Sequence, residues 1–178
     1  MTEKELISGC IKHDAKCQRM IFDQYAGILM AICHRYSCDQ AEAEDMLQET
    51  FIRAFTYIDQ YKFQGSLEGW LKRITVNASL KVLQNKKIHF TEIREDHEIF
   101  HATDADSISN LSEDELLKLI SKLPDGYRVV FNLYVMEGYD HDEIAEMLNI
   151  KTATSRSQLS KARALLKEQI KSLQKIAN

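Results

Sequence analysis

Proline and glycine, the strongest breakers of regular structure, are scarce: one proline, Pro124, and six glycines in 178 residues. So few breakers argue against many short strands and turns and favour helices joined by short connections. No run of roughly 18 apolar residues exists, which excludes a membrane-spanning helix and with it membrane insertion. The opening Met1-Thr2-Glu3-Lys4-Glu5 is polar and lacks the charged-then-apolar layout of an export signal, so the chain is expected in the cytoplasm. Catalytic signatures are missing too: no glycine-rich phosphate loop, no GxSxG elbow and no HExxH helix. Of the histidines, His89, His97 and His101 fall in or beside an acidic stretch with no nucleophile pattern close by. Neither enzymatic activity nor a cofactor is expected.

Cysteine is sparse as well, at Cys10, Cys17, Cys33 and Cys38. Without export these read as reduced thiols. A metal site is the sharper alternative, since Cys10-x2-His13-x3-Cys17 and Cys33-His34-x3-Cys38 cluster soft ligands. Neither spacing is a standard zinc pattern, and all four fall within amphipathic helix, so buried free cysteine is preferred and no metal is assigned.

What is present is segregated charge. The formal net charge is −4, yet from Gly69 to Thr91 the charged residues are Lys72, Arg73, Lys81, Lys86 and Lys87, with no acid. From Asn149 onward, Lys151, Arg156, Lys161, Arg163, Lys167, Lys171 and Lys175 stand against the single Glu168. Between these blocks, Glu92 to Glu115 holds nine acids and one base, Arg94. Nucleic acid needs local positive potential rather than a positive total.

The acidic stretch also lacks a sustained helical period and is rich in Asp, Ser, Thr and His, which favour turns. It reads as a flexible linker over residues 91–112, separating a domain at 1–90 from one at 113–178. The expected fold class is all-α, with an N-terminal helical bundle and a C-terminal four-helix domain. The bundle comprises helices over Glu3–Lys12, Cys17–Tyr36, Ala43–Ile58 and Leu67–Gln84. In the third, Ala43, Met46, Leu47, Phe51, Ala54, Phe55 and Ile58 form one apolar stripe with a polar slot at Thr50. The C-terminal helices are placed at Glu113–Lys122, Asp125–Met136, His141–Leu148 and Thr152–Ser172. Pro124 suits the first turn of the second of these, and Gly138 the stop after it.

Three motifs carry function. The first is a helix-turn-helix from Asp142 to Arg163. Ala145 is small where the helices cross, and Asn149 tolerates the left-handed turn. Ile144, Leu148, Ile150 and Leu159 are apolar anchors. Thr154, Arg156, Ser157, Ser160, Lys161 and Arg163 are the candidate major-groove residues; the competing reading is a helical hairpin with a solvated basic face. The second is Asp45, Gln48, Glu49 and Ile52, which share the helix face opposite the stripe. An isoleucine among acids and an amide there suits protein docking, against the alternative of a plain solvated face. The third is the loop Tyr61 to Ser66 with the helix after it, whose Arg73, Asn77, Leu80, Gln84 and Lys87 line one side. Aromatic, amide and basic groups together suit capture of unpaired bases; Trp70, flanked by Leu71 and Ile74, reads as core.

In this order the motifs resemble bacterial sigma factors of the extracytoplasmic-function (ECF) group. The match runs through Ala41-Glu-Ala-Glu-Asp-Met-Leu-Gln-Glu-Thr-Phe-Ile-Arg-Ala-Phe55, through Phe63-Gln-Gly-Ser-Leu-Glu-Gly-Trp-Leu-Lys-Arg-Ile-Thr-Val-Asn77, and from Leu123-Pro-Asp-Gly-Tyr-Arg-Val-Val-Phe131 into Gly138 to Arg163. The resemblance implies a promoter-melting region two and a helix-turn-helix region four. It assigns Asp45, Gln48 and Glu49 to the coiled coil of the polymerase's largest subunit, and Ile52 on the same face is taken with them as polymerase-binding. It assigns Lys62, Phe63, Gln64, Ser66, Arg73, Asn77 and Lys81 to the minus-ten element, and the basic face of the last helix to the minus-thirty-five element. Implied partners are core RNA polymerase, including its flap, promoter DNA and an anti-sigma factor. The chain departs from the family pattern at Lys151 and Thr152, where a serine often caps the recognition helix, and at the small Ser160. A rival from another class is a stand-alone helix-turn-helix regulator, which needs no polymerase and leaves the Asp45 face unexplained.

Overall fold

The computed structural model describes residues 2–86 and 112–176. Residues 87–111, which hold Lys87, the three histidines and most of the acidic stretch, lie outside the described residues. The chain divides into two compact units, residues 1–86 and 87–178.

In the first unit each helix starts at a side chain that caps its free amides. Thr2 and Glu5 form a capping box for α1 (Glu3–Ile11), Asp14 caps α2 (Ala15–Tyr36), Asp39 caps α3 (Gln40–Thr56), and Ser66 caps α4 (Leu67–Asn85). These caps set the starts of α2 and α3 two and three residues earlier than apolar periodicity suggests, because a cap acts on the polar first turn that periodicity ignores. Ile58, expected at the end of the third helix, falls instead in the 3-10 turn Ile58–Gln60.

Helices α2, α3 and α4 pack on one another and α1 lies against α2. The stripe on α3 is buried at Ala43, Met46, Leu47, Phe51 and Ala54, while Phe55 is half-buried. The polar slot is buried too: the Thr50 hydroxyl donates to the Met46 carbonyl at 2.8 Å, satisfying itself within its own helix. Cys10, Cys17 and Cys33 are buried and Cys38 is exposed, all free. Burial pushes the Cys10 thiol to about 11 and Cys33 to about 12, so both stay protonated and inert. No group of three metal-binding side chains converges among the described residues. At Gly9 a Cβ would sit 2.3 Å from the Cys17 Sγ; only glycine lets α1 approach α2 so closely.

One charged contact ties the beginning of α3 to the end of α4. Glu42 is 5% exposed. The Cys38 amide (2.8 Å) and thiol (3.0 Å) donate to its Oε2, and Lys86 Nζ meets Oε1 at 2.5 Å. Burial opposes the charge on Glu42, but the hydrogen bonds from Cys38 and Lys86 outweigh it and hold the carboxyl below its ordinary range. A carboxylate so depressed adds stability that is present above its unfolded pKa and is lost as pH falls through the folded one. Glu42→Gln is expected to flatten that acid-side decline; thermal unfolding of the whole chain between neutral and acid pH measures it, and unchanged slopes would discount the contact.

In the second unit, Ser112 and Glu115 box the start of α5 (Glu113–Ser121), so Ser112 belongs to this helix rather than to the preceding stretch. Pro124 sits one position before α6 (Asp125–Phe131), at its N-cap, rather than inside the first turn. Where sequence suggests one helix to Met136, the chain widens into the π-helical turn Asn132–Met136. The Glu137 amide then reaches the Asn132 carbonyl at 3.0 Å. Asn132 and Leu133 stay buried while Val135 and Met136 are exposed. Gly138, with φ +80°, turns the chain out of it. α7 (His141–Leu148) and α8 (Thr152–Ile176) follow, and α8 serves as the platform on which α5, α6 and α7 pack.

Candidate nucleic-acid interface

Asp140 and Glu143 form a capping box at the start of α7. Asn149 ends the helix in the left-handed region, φ 52° and ψ 50°, and the Ile150 amide closes the turn onto the Ala145 carbonyl at 3.0 Å. The Lys151 carbonyl receives the first helical bond of α8, from Ser155, and the Thr152 hydroxyl donates to Asp142 Oδ1 at 2.8 Å. Thr152 therefore ties the start of α8 back to α7. Ile144, Leu148, Leu159 and Ala162 are buried, which fixes the crossing of α7 and α8; Ile150, expected as an anchor, is only half-buried.

The buried face of α8 runs through Thr154, Ser155, Gln158, Leu159 and Ala162. This corrects one expected contact residue: Thr154 is 8% exposed and faces the interior, because it falls on the same stripe as Leu159 and Ala162. Arg156 and Arg163 are exposed, and Ser157, Ser160 and Lys161 are half-buried. The Ser157 hydroxyl donates to the Thr154 carbonyl at 3.0 Å.

A cluster that sequence reasoning missed lies behind this face. His141 Nδ1 and Ser155 Oγ share a hydrogen bond of 2.9 Å. The imidazole stacks on Tyr134, with ring centroids 4.5 Å apart and planes at 23°, and the Arg163 guanidinium lies over the Tyr134 ring at 5.8 Å. Burial, then the nearby Arg156 and Arg163, holds His141 below the ordinary histidine range against the opposing pull of Asp140 and Asp142. The available signal was Ser155, a polar residue on the apolar stripe.

In the first unit, the loop after the 3-10 turn is built around Tyr61. This ring is 5% exposed; its hydroxyl donates to the Gly65 carbonyl at 2.9 Å, and Phe63 and Trp70 pack against it at 5.0 and 5.5 Å. Phe63 is 46% exposed and has φ 57°, a conformation that costs a bulky residue about 1–3 kcal/mol. An aromatic ring held in strain at the surface, where it buries little, is a poor choice for stability and a good one for stacking. Lys4 from α1 lies 5.8 Å from the same ring. Lys62, Gln64 and Ser66 are exposed, although the Ser66 hydroxyl also accepts from Gly69 in capping α4. Arg73, Asn77 and Lys81 are exposed on successive turns of α4. Leu80, expected along that side, is instead buried at 5%, and Trp70 is half-buried.

On α3, Asp45 and Gln48 are exposed, and Glu49 is half-buried in an ion pair with Arg53 at 2.5 Å. Ile52 is 62% exposed, on a helix whose other large apolar residues are covered. It borders an open groove of about 550 Å³, floored by Leu47, Phe51 and Phe55 of α3 and walled by Phe22 and Met30 of α2. Glu44 and Gln48 supply its polar lining, and an apolar groove with a polar rim is the form of a docking surface.

Known proteins share these parts in this order. Residues 21–87 match the family model described as Sigma-70 region 2, and residues 113–166 match Sigma-70, region 4. The chain is 30% identical to the ECF RNA polymerase sigma factor SigW of Bacillus subtilis, over 97% of this chain and 99% of that one. It is 33% identical to the ECF RNA polymerase sigma factor SigE of Mycolicibacterium smegmatis over 82% of its own length, and spans 58% of that relative. Among solved structures, the sigma factor RpoE of Bartonella quintana, crystallised with the anti-sigma factor NepR, shares the fold at a TM-score of 0.52 and 21% identity. That match covers 86% of this chain and 96% of RpoE. An end-to-end match of this kind, with both regions in place, makes the chain a member of the ECF RNA polymerase sigma factors.

Proposed function

We propose that the chain docks on core RNA polymerase through Asp45, Gln48, Glu49 and Ile52 and directs initiation at promoters that its two units read separately. In this reading Lys62, Phe63, Gln64 and Ser66 capture a base unstacked from the minus-ten element, while Arg73, Asn77 and Lys81 follow the strand. Arg156, Ser160, Lys161 and Arg163 face the minus-thirty-five element. The observation that carries the proposal is the pair of exposed basic helix faces, one in each unit, in a chain whose total charge is −4. Such a total opposes loose DNA binding. Docking on polymerase lets two modest contacts add, because once one is made the other is effectively intramolecular. Flipping a base costs a few kcal/mol, which stacking on Phe63 offsets. The chain acts in the cytoplasm as an initiation factor without catalysis of its own, and an anti-sigma factor is its expected regulator by family.

The test is in vitro transcription with sigma-free core polymerase: start-site-specific transcripts are expected only when the chain is added. DNA binding by the chain alone, on a palindrome, would favour a stand-alone regulator instead. Arg156→Ala is expected to cost about 1–3 kcal/mol at the upstream element and to relax specificity there. Equal losses on all sequences would make Arg156 a phosphate contact.

A further inference from the structure

The Tyr134–His141 pair lies outside the residues that reach DNA in the reading above, yet it touches both ends of what that reading uses. Tyr134 sits in the π-helical turn Asn132–Met136, and that turn packs on α7. Its ring stays half-buried, with His141 stacked at 4.5 Å and the Arg163 guanidinium at 5.8 Å. His141 in turn reaches Ser155, one residue before Arg156. Charged groups near the imidazole are Arg156 and Arg163 from α8 and Asp140 and Asp142 from its own end.

We propose that Tyr134 and His141 are positioning residues for promoter recognition: His141, hydrogen-bonded to Ser155, holds the Tyr134 ring on which the Arg163 guanidinium is pre-ordered for a DNA phosphate. This rests on the assignment of α8 to the upstream element. An exposed arginine on a free helix surface loses rotamer freedom when it binds, and that loss weakens the contact. A guanidinium already resting on an aromatic face has lost part of that freedom beforehand. Burial and the two arginines favour a neutral imidazole, which can lie beside them without repulsion. The widened turn is what places Tyr134 here, and π-turns recur at functional positions.

The experiment measures affinity of the full chain, bound to core polymerase, for a promoter as a function of salt. Arg163→Ala is expected to lower affinity and to reduce the slope of log K against log salt by about 0.9, one phosphate's worth. Tyr134→Ala is expected to lower affinity in part, with the salt slope kept, and Tyr134→Phe to retain the wild-type affinity. The double variant Tyr134→Ala/Arg163→Ala should be no weaker than Arg163→Ala alone. Tyr134→Leu keeps apolar bulk in the turn and separates loss of the ring from loss of folding, followed by the unfolding midpoint. Fully additive losses in the double variant, or wild-type affinity in a folded Tyr134→Leu, overturn the proposal while leaving the α8 assignment intact. If Arg156→Ala and Arg163→Ala both bind as the wild type does, the α8 assignment fails and the positioning role falls with it.

Discussion

Arg128→Ala is expected to unfold the C-terminal unit while leaving the N-terminal one folded. Arg128 is 1% exposed. One of its terminal nitrogens donates to the Ser121 and Leu123 carbonyls, at 3.1 and 2.8 Å, and the other pairs with Asp125. The guanidinium thus joins the end of α5 to the start of α6 across Pro124, where the chain has no backbone donor to offer. Truncation removes the donor from both carbonyls and leaves a void the size of the side chain, together costing about 3–5 kcal/mol. A small helical unit of this length has a total stability on the order of 5 kcal/mol. Denaturant unfolding followed by circular dichroism should therefore lose the part of its amplitude that the second unit contributes at zero denaturant. Arg128→Lys keeps the charge but not the planar fork, and an intermediate loss is expected. A wild-type unfolding curve for Arg128→Ala would show that the two carbonyls find other partners.

Ile52→Asp is expected to cut affinity for core polymerase by more than about tenfold without moving the unfolding midpoint. At 62% exposed, Ile52 contributes little to the stability of its own unit. Its value lies in the apolar surface it continues from Phe22, Phe51 and Phe55. A charge there would be desolvated on docking, and central apolar anchors of interfaces typically cost about 2–4 kcal/mol when lost. Sedimentation or fluorescence titration with core polymerase measures the change. Unaltered affinity in the folded variant would move the docking surface off α3 and leave Ile52 as an isolated exposed side chain.

The helical class and most helix spans were legible because a helix advertises itself locally, through an apolar period and capping residues on the same short segment. Asn149 is the clearest case: a residue that tolerates left-handed backbone, predicted at the turn and found there with φ 52°. The exposure of Arg73 and Asn77 on one side of α4 follows from their spacing in the same way. Thr154 and Leu80 were misplaced for the opposite reason. Each lies at the edge of an apolar stripe, and only the angle at which a neighbouring helix crosses decides whether an edge position is covered. Glu42, Arg128 and His141 look like surface residues in the sequence, since their partners, Lys86, the Ser121 and Leu123 carbonyls, and Tyr134 with Ser155, come from other elements.

The order of residues by itself determined that this chain forms helices, where most of them begin, which faces carry positive charge, and which family it resembles. Tertiary structure alone decided which polar side chains are buried, that the helix before Gly138 widens into a π-turn, and that Tyr134, His141 and Arg163 meet. The division has a physical cause. Caps and periods are settled by interactions within about four residues, whereas burial of a charge is settled by whatever the fold brings to meet it.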